Sequence, residues 1–105
     1  NGYWLNTSAL SGRAGFADSV AWRLEQPNAH FDEGQPGYNA IRNGTPGAAV
    51  DYVAGYFGIT SMSTTTRNAI LATHTADRNA TSWWAWYTVG NLLMMTMLAP
   101  EFHVA

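Results

Sequence analysis

The feature that most constrains this chain is a stretch near its end, from Asn79 to Pro100, that carries no charged side chain. Three tryptophans crowd into one turn of it, and a Leu-Leu-Met-Met-Thr-Met-Leu run follows. A helix that is apolar on nearly every side has to be covered by protein or by lipid. We therefore predict a covered helix over residues 82–98. The residues predicted to form its interface are Trp83, Trp84, Trp86, Tyr87, Leu92 and Met95.

The sequence supports burial of this helix in lipid less well than burial in protein. The stretch is long enough to span a membrane, but Thr88, Gly90, Asn91 and Thr96 lie inside it. Its tryptophans sit together, whereas a membrane helix places aromatic residues at both ends and basic residues beside them. The sequence therefore favours a helix buried in protein, and membrane association remains the alternative.

Composition sets the remaining bounds. Hydrophobic residues make up 47 % of the 105 residues, which excludes a disordered chain. Charged residues make up 11 %, less than half of the usual share of roughly 25 %. The five basic residues are scattered arginines and the net charge is −2, so nucleic-acid binding is not expected. The absence of cysteine excludes disulfides and thiolate metal sites and leaves the redox compartment open.

Helix start and stop signals recur along the chain, and no segment alternates apolar and polar residues as a strand would. We predict an all-α fold of about four helices, near residues 8–25, 46–57, 64–75 and 82–98. Thr45 and Ser63 are the expected N-caps of the second and third helices. The segment 26–44 contains two prolines and three glycines, so we predict a long irregular loop there.

Three short helices cannot easily surround a fourth that is apolar on all sides. We therefore expect the cover to be completed by another polypeptide, either a partner subunit or an upstream part of the same gene product. The chain also starts at Asn1 without a signal peptide. We interpret residues 1–105 as a single helical unit, the C-terminal part of a longer domain.

Candidate chemistry is sparse. The residues His30, Asp32 and Glu33 combine nitrogen and oxygen ligands in the predicted loop and are weak candidates for a metal site. His74 and Asp77 share a helical face, but an ordinary surface pair explains them better. No nucleophile motif or phosphate-binding loop is present, so we predict no catalytic residue and no cofactor. Sequons at Asn6, Asn43 and Asn79 are candidates for glycosylation, with Asn43 expected to be the most exposed.

Both ends of the chain resemble a known family. The segment 2–10, Gly-Tyr-Trp-Leu-Asn-Thr-Ser-Ala-Leu, and the segment 13–17, Arg-Ala-Gly-Phe-Ala, are similar to a conserved segment of the bacterial family named domain of unknown function eighteen hundred. Residues 98–102, Leu-Ala-Pro-Glu-Phe, resemble its closing pattern. Gly15 and Ala99 depart from the family's usual Asn and Ser. The resemblance implies a mostly helical, exported protein several times longer than this chain, with no established activity.

Two function classes follow from these observations. The first is a structural or interaction module that completes a larger extracytoplasmic helical protein or a multi-subunit assembly. The second is a non-autonomous part of an enzyme or metal-binding protein whose main site lies outside this chain. The first is favoured, because no catalytic constellation is visible in the sequence.

Overall fold

The computed structural model describes residues 21–80 and 84–103, and these residues form an all-α fold without strands, as predicted. Residues 21–24 are helical. The elements that follow are α1 (Pro36–Asn43), α2 (Pro46–Tyr56), α3 (Thr64–Ala80), a π-helix (Trp84–Val89), α4 (Gly90–Leu98) and α5 (Pro100–His103). The predicted first helix lies mostly outside the described residues. The segments 2–10 and 13–17, which carry the family resemblance, also lie outside them.

The predicted loop 26–44 is only half irregular. Residues 26–35 form turns, with positive φ angles at Asn28 and Gly34, but α1 occupies most of the remainder. The loop prediction was wrong there because Pro36 is the first residue of the helix, a position at which the fixed φ of proline is favourable. The helix has eight residues, too few for its apolar periodicity to be evident, and it buries Ile41 completely.

Helix α2 begins and ends close to the positions that the sequence predicted. The Thr45 hydroxyl accepts a hydrogen bond from the Ala48 backbone N–H at 3.1 Å, the expected N-cap. At the other end Gly58 has a φ of +80°, and the Ile59 N–H donates to the Ala54 carbonyl at 2.9 Å. Glycine adopts this left-handed conformation without strain, so the helix stops there.

Helix α3 begins at the predicted cap and runs five residues past its predicted end at residue 75. The Ser63 hydroxyl accepts from the Thr66 N–H at 3.1 Å, while the Ser63 N–H donates to Glu101 Oε2 at 2.9 Å. No glycine or proline interrupts residues 75–80. The added turn matters for the site below, because it carries Arg78.

Helix α4 lies in the centre of the apolar core. Within residues 92–98 only Met94 is partly exposed, and Leu92 and Leu93 are fully buried. They belong to one buried cluster with apolar residues of every longer helix: Ile41, Ala49, Val50, Val53 and Ile70. Over residues 92–98 the chain itself therefore supplies the cover that the sequence led us to expect from another polypeptide. Cover of the rest of the uncharged stretch by another polypeptide stays a prediction. No helix among the described residues is both long and apolar enough to span a bilayer.

Candidate functional site: an arginine–tryptophan corner

Two arginines and a tryptophan meet where α1, α3 and the π-helix come together. The guanidinium carbon of Arg42 lies over the Trp84 ring, 4.3 Å from its centroid. That of Arg78 lies 4.8 Å from the same centroid. Both distances are within the range of a cation–π contact. We call Arg42, Arg78 and Trp84 the arginine–tryptophan corner.

Arg78 is fixed in place by the end of α1. Its Nη1 donates to the Ile41 carbonyl at 2.9 Å, and its Nη2 donates to the Gly44 carbonyl at 2.8 Å. The last carbonyls of a helix lack partners within the helix and carry its negative partial charge. The half-buried guanidinium group of Arg78 therefore supplies hydrogen-bond donors to the carbonyls at the end of α1. The same two hydrogen bonds fix the position of the Arg78 side chain.

Arg42 is placed differently. It lies in the last turn of α1, is exposed, and makes neither a hydrogen bond nor an ion pair with any residue in the described ranges. Among those residues there is one salt bridge, which joins Arg67 to Asp51 at 3.0 Å and does not involve Arg42. No residue of the described ranges therefore occupies an N–H donor of Arg42, while Trp84 contacts its guanidinium group.

The two cations of the corner repel each other. Because both lie against one ring, their guanidinium carbons are within about 9 Å of each other, the sum of the two centroid distances. This is shorter than the Debye length of roughly 10 Å at 0.1 M salt. Burial lowers the pKa of Arg78, and the charge of Arg42 lowers it further.

His74 forms the buried inner side of the corner. It is fully inaccessible to solvent, and its Nε2 lies 3.4 Å from Arg78 Nη1. Arginine only donates, so Nε2 has to be the acceptor and the ring proton belongs on Nδ1. That Nδ1 is buried and has no hydrogen-bond partner in the described part of the chain. Burial, together with the Arg78 charge, lowers the pKa of His74 to about 4, so the ring is neutral near pH 7.

Polar contacts between α3 and the last helices bring Trp84 to this position. The Thr88 hydroxyl donates to the Asp77 carbonyl at 3.4 Å, and Asn91 Nδ2 donates to Asp77 Oδ2 at 3.3 Å. Thr88 is fully buried although it is polar. The wide turn of a π-helix, a form often found at functional sites, then carries Trp84 at the start of the segment.

The structure separates the predicted interface residues into two groups. Leu92 and Met95 are buried in the chain's own core, so their assignment to an interface with a partner stays a prediction without a supporting geometry. Trp84 is half-buried and belongs to the corner. Trp83 lies outside the described residues, as do the side chains of Trp86 and Tyr87.

The metal candidates in the segment 26–35 are engaged elsewhere. His30 Nε2 and the Tyr52 hydroxyl are 2.7 Å apart, and the His30 ring stacks on Tyr56 at 4.9 Å. Asp32 Oδ2 accepts from the Asn28 N–H, and Glu33 is exposed. Over residues 21–80 and 84–103 no three histidine or acidic side chains are grouped as metal ligands. The metal assignment stays a prediction without a supporting geometry.

The pair His74 and Asp77 is not the solvated surface pair that the sequence suggested. His74 is buried against Arg78, and Asp77 binds Asn91 instead of the imidazole. Of the sequons, Asn43 and Asn79 are both exposed, and Asn6 lies outside the described residues. Their glycosylation stays a prediction.

Sequence analysis missed Arg42 and Arg78 as site residues. Arg42 is distant from Arg78 and Trp84 along the chain, and the corner forms only through the missed helix α1 and the longer α3. One signal was present: His74 and Arg78 are four residues apart, the spacing at which helical side chains meet.

Searches of protein-family models, of curated proteins and of solved structures gave no match to this chain. The resemblance to the domain-of-unknown-function family stays a prediction based on the residues quoted above.

Proposed function

We propose that this chain is a helical interaction module that completes a larger protein or a multi-subunit assembly, with the arginine–tryptophan corner as its contact surface. The observation that carries the proposal is the half-buried Trp84 in contact with two guanidinium groups. Over residues 88–99 the stretch is buried in the chain's own core except at Asn91 and Met94, which are partly exposed. Trp84 is the aromatic residue of the described part of the stretch that can reach a partner.

Tryptophan and arginine are the residue types that most often dominate binding energy at protein interfaces. Binding costs least when the contacting side chains are already ordered. Here Arg78 is bonded to two carbonyls, and Trp84 contacts cations from two helices. A preformed surface of this kind supports a role in recognition.

The partner in this proposal is a polypeptide, either another subunit or another segment of the same gene product. An extracytoplasmic location belongs to the proposal as well, and it is supported by the family resemblance at the two ends of the chain.

The proposal is tested by crosslinking the partner polypeptide to a residue beside the arginine–tryptophan corner. A photo-crosslinking residue in place of Asn43, next to Arg42, is introduced into the full chain in its source cells. The crosslinked polypeptide is identified by mass spectrometry and purified, and its affinity for the chain is measured. A hot-spot side chain contributes at least about 2 kcal/mol, so Trp84→Ala should weaken binding roughly thirtyfold.

Trp22→Ala is the matched control, because Trp22 is 56 % exposed and, among the described residues, no arginine lies over its ring. It should change the affinity less than about twofold, a value typical of near-neutral contacts. Thermal unfolding verifies that each variant folds. An equal loss for both tryptophan variants, or crosslinking no greater than without irradiation, would reject the corner as the contact surface.

A further inference from the structure

We infer that the arginine–tryptophan corner binds a carboxylate group of an acidic polypeptide segment, with the guanidinium of Arg42 as the principal donor. The inference rests on the proposed function, which makes the partner a polypeptide. Carboxylate is the oxyanion that unmodified polypeptides carry, on aspartate, on glutamate and at the C-terminus.

The first argument is the charge at the corner. Two permanent cations lie against one aromatic ring, and neither forms an ion pair with any acid of the described residues. Like charges at this separation repel, and a partner's carboxylate removes that repulsion. The carbonyls of Ile41 and Gly44 offset part of the charge of Arg78, but neither carbonyl bonds to Arg42.

The second argument is the supply of donors. A guanidinium has five N–H groups in one plane, which match the two oxygens of a carboxylate. Arg78 has already used donors on both terminal nitrogens. Arg42 has used none in the described part of the chain, so a bidentate carboxylate fits Arg42, with Arg78 adding charge.

The third argument is the way Trp84 holds Arg42. The guanidinium carbon of Arg42 lies over the Trp84 ring, 4.3 Å from its centroid, and the ring attracts the cation without accepting a conventional hydrogen bond from it. A lone exposed arginine loses side-chain entropy when it binds an anion, and the contact with Trp84 reduces that loss.

The test uses the full chain and a defined probe, hexaglutamate, with hexaglutamine as the uncharged control. Binding is measured by calorimetry and by the nitrogen-15 signals of the arginine side chains. Arg42→Gln should weaken hexaglutamate binding about tenfold, the loss expected for one charge-assisted bidentate contact. Arg23→Gln is the control, because Arg23 is also exposed and the variant has the same net charge.

A selective loss in Arg42→Gln, with a shift of the Arg42 side-chain signals in the unmodified chain, supports the inference. Equal losses in the two variants overturn it, because net charge alone would then explain binding. Binding of hexaglutamine as strongly as hexaglutamate also overturns it. If inorganic phosphate binds at Arg42 and hexaglutamate does not, the corner takes an oxyanion but the carboxylate assignment is wrong.

The same variants separate this inference from the proposed function. If the crosslinked partner depends on Trp84 but not on Arg42, the interaction surface stands and the carboxylate contact fails. If no partner depends on Trp84, the proposed function fails, while hexaglutamate binding still tests the carboxylate contact directly.

Discussion

Trp84 and Leu93 lie in the same uncharged stretch of the sequence, yet apolar side chains surround Leu93 while charged side chains contact Trp84. Leu93 is fully buried among apolar side chains of the other helices. Trp84 is half-buried, and two guanidinium ions from α1 and α3 lie over its ring. A sequence segment without charged residues can therefore pack against charged side chains from other segments. The core segment gains stability from burial, while the corner provides a surface with unused hydrogen-bond donors.

The largest expected effect comes from shortening a side chain in the buried part of the stretch. Leu93→Ala should lower the free energy of unfolding by about 2–5 kcal/mol, because it removes buried contacts and leaves a cavity. Leu71→Ala is the same substitution at a partly buried position on α3, and its loss should be smaller. Urea unfolding measures both. Equal losses would mean that α4 is not the centre of the core.

The next largest effect concerns His74 at the inner side of the corner. The imidazole titrates near 6.5 in the unfolded chain and at about 4 in the folded chain. Between these values the unfolded chain binds a proton that the folded chain excludes, so the free energy of unfolding rises with pH. Stability is complete above pH 6.5 and falls by at most about 3 kcal/mol as pH drops through 4.

His74→Gln removes this titration and keeps a polar side chain of similar length. The slope of the free energy of unfolding against pH should become smaller between pH 5 and 6.5. Glu101 adds its own dependence only at lower pH. Burial would raise the pKa of Glu101, but hydrogen bonds from Ser63 outweigh it and lower that pKa below 4.5. An unchanged slope in His74→Gln would show that His74 is accessible to protons.

Arg78 connects the two regions, and its loss should cost less than a core truncation. Arg78→Ala removes the bonds to the carbonyls of Ile41 and Gly44 at the end of α1. Hydrogen bonds made by a charged donor contribute roughly 1.5–3 kcal/mol to stability. We expect urea unfolding to show a loss in this range. Arg78→Lys keeps the charge but not the planar fork, so it should recover part of the loss; no recovery would mean that geometry alone matters.

The sequence predicted the helices and their caps well, because those depend on local chemistry. Thr45, Ser63 and Gly58 fix helix ends through contacts with residues close in the chain. The corner depends on α1, which is far along the chain from Arg78 and Trp84, and Pro36 makes residues 36–43 resemble an irregular segment. The contribution of α1 to the core was missed for the same reason, since its Ile41 belongs to the same buried cluster as the apolar residues of α4.

The smallest stability effect is expected at Arg42, and it separates binding from folding at the corner. A cation–π contact at an exposed site contributes about 0.5–1 kcal/mol, and relief of the repulsion from Arg78 offsets part of that gain. Arg42→Ala should therefore change the free energy of unfolding by less than about 1 kcal/mol. Arg23→Ala, at an exposed position, is the control and should be similarly small. If Arg42→Ala cost as much as Arg78→Ala in urea unfolding, Arg42 would be part of the structural framework. A small cost combined with the binding loss described above would identify Arg42 as a side chain that the fold leaves available for recognition.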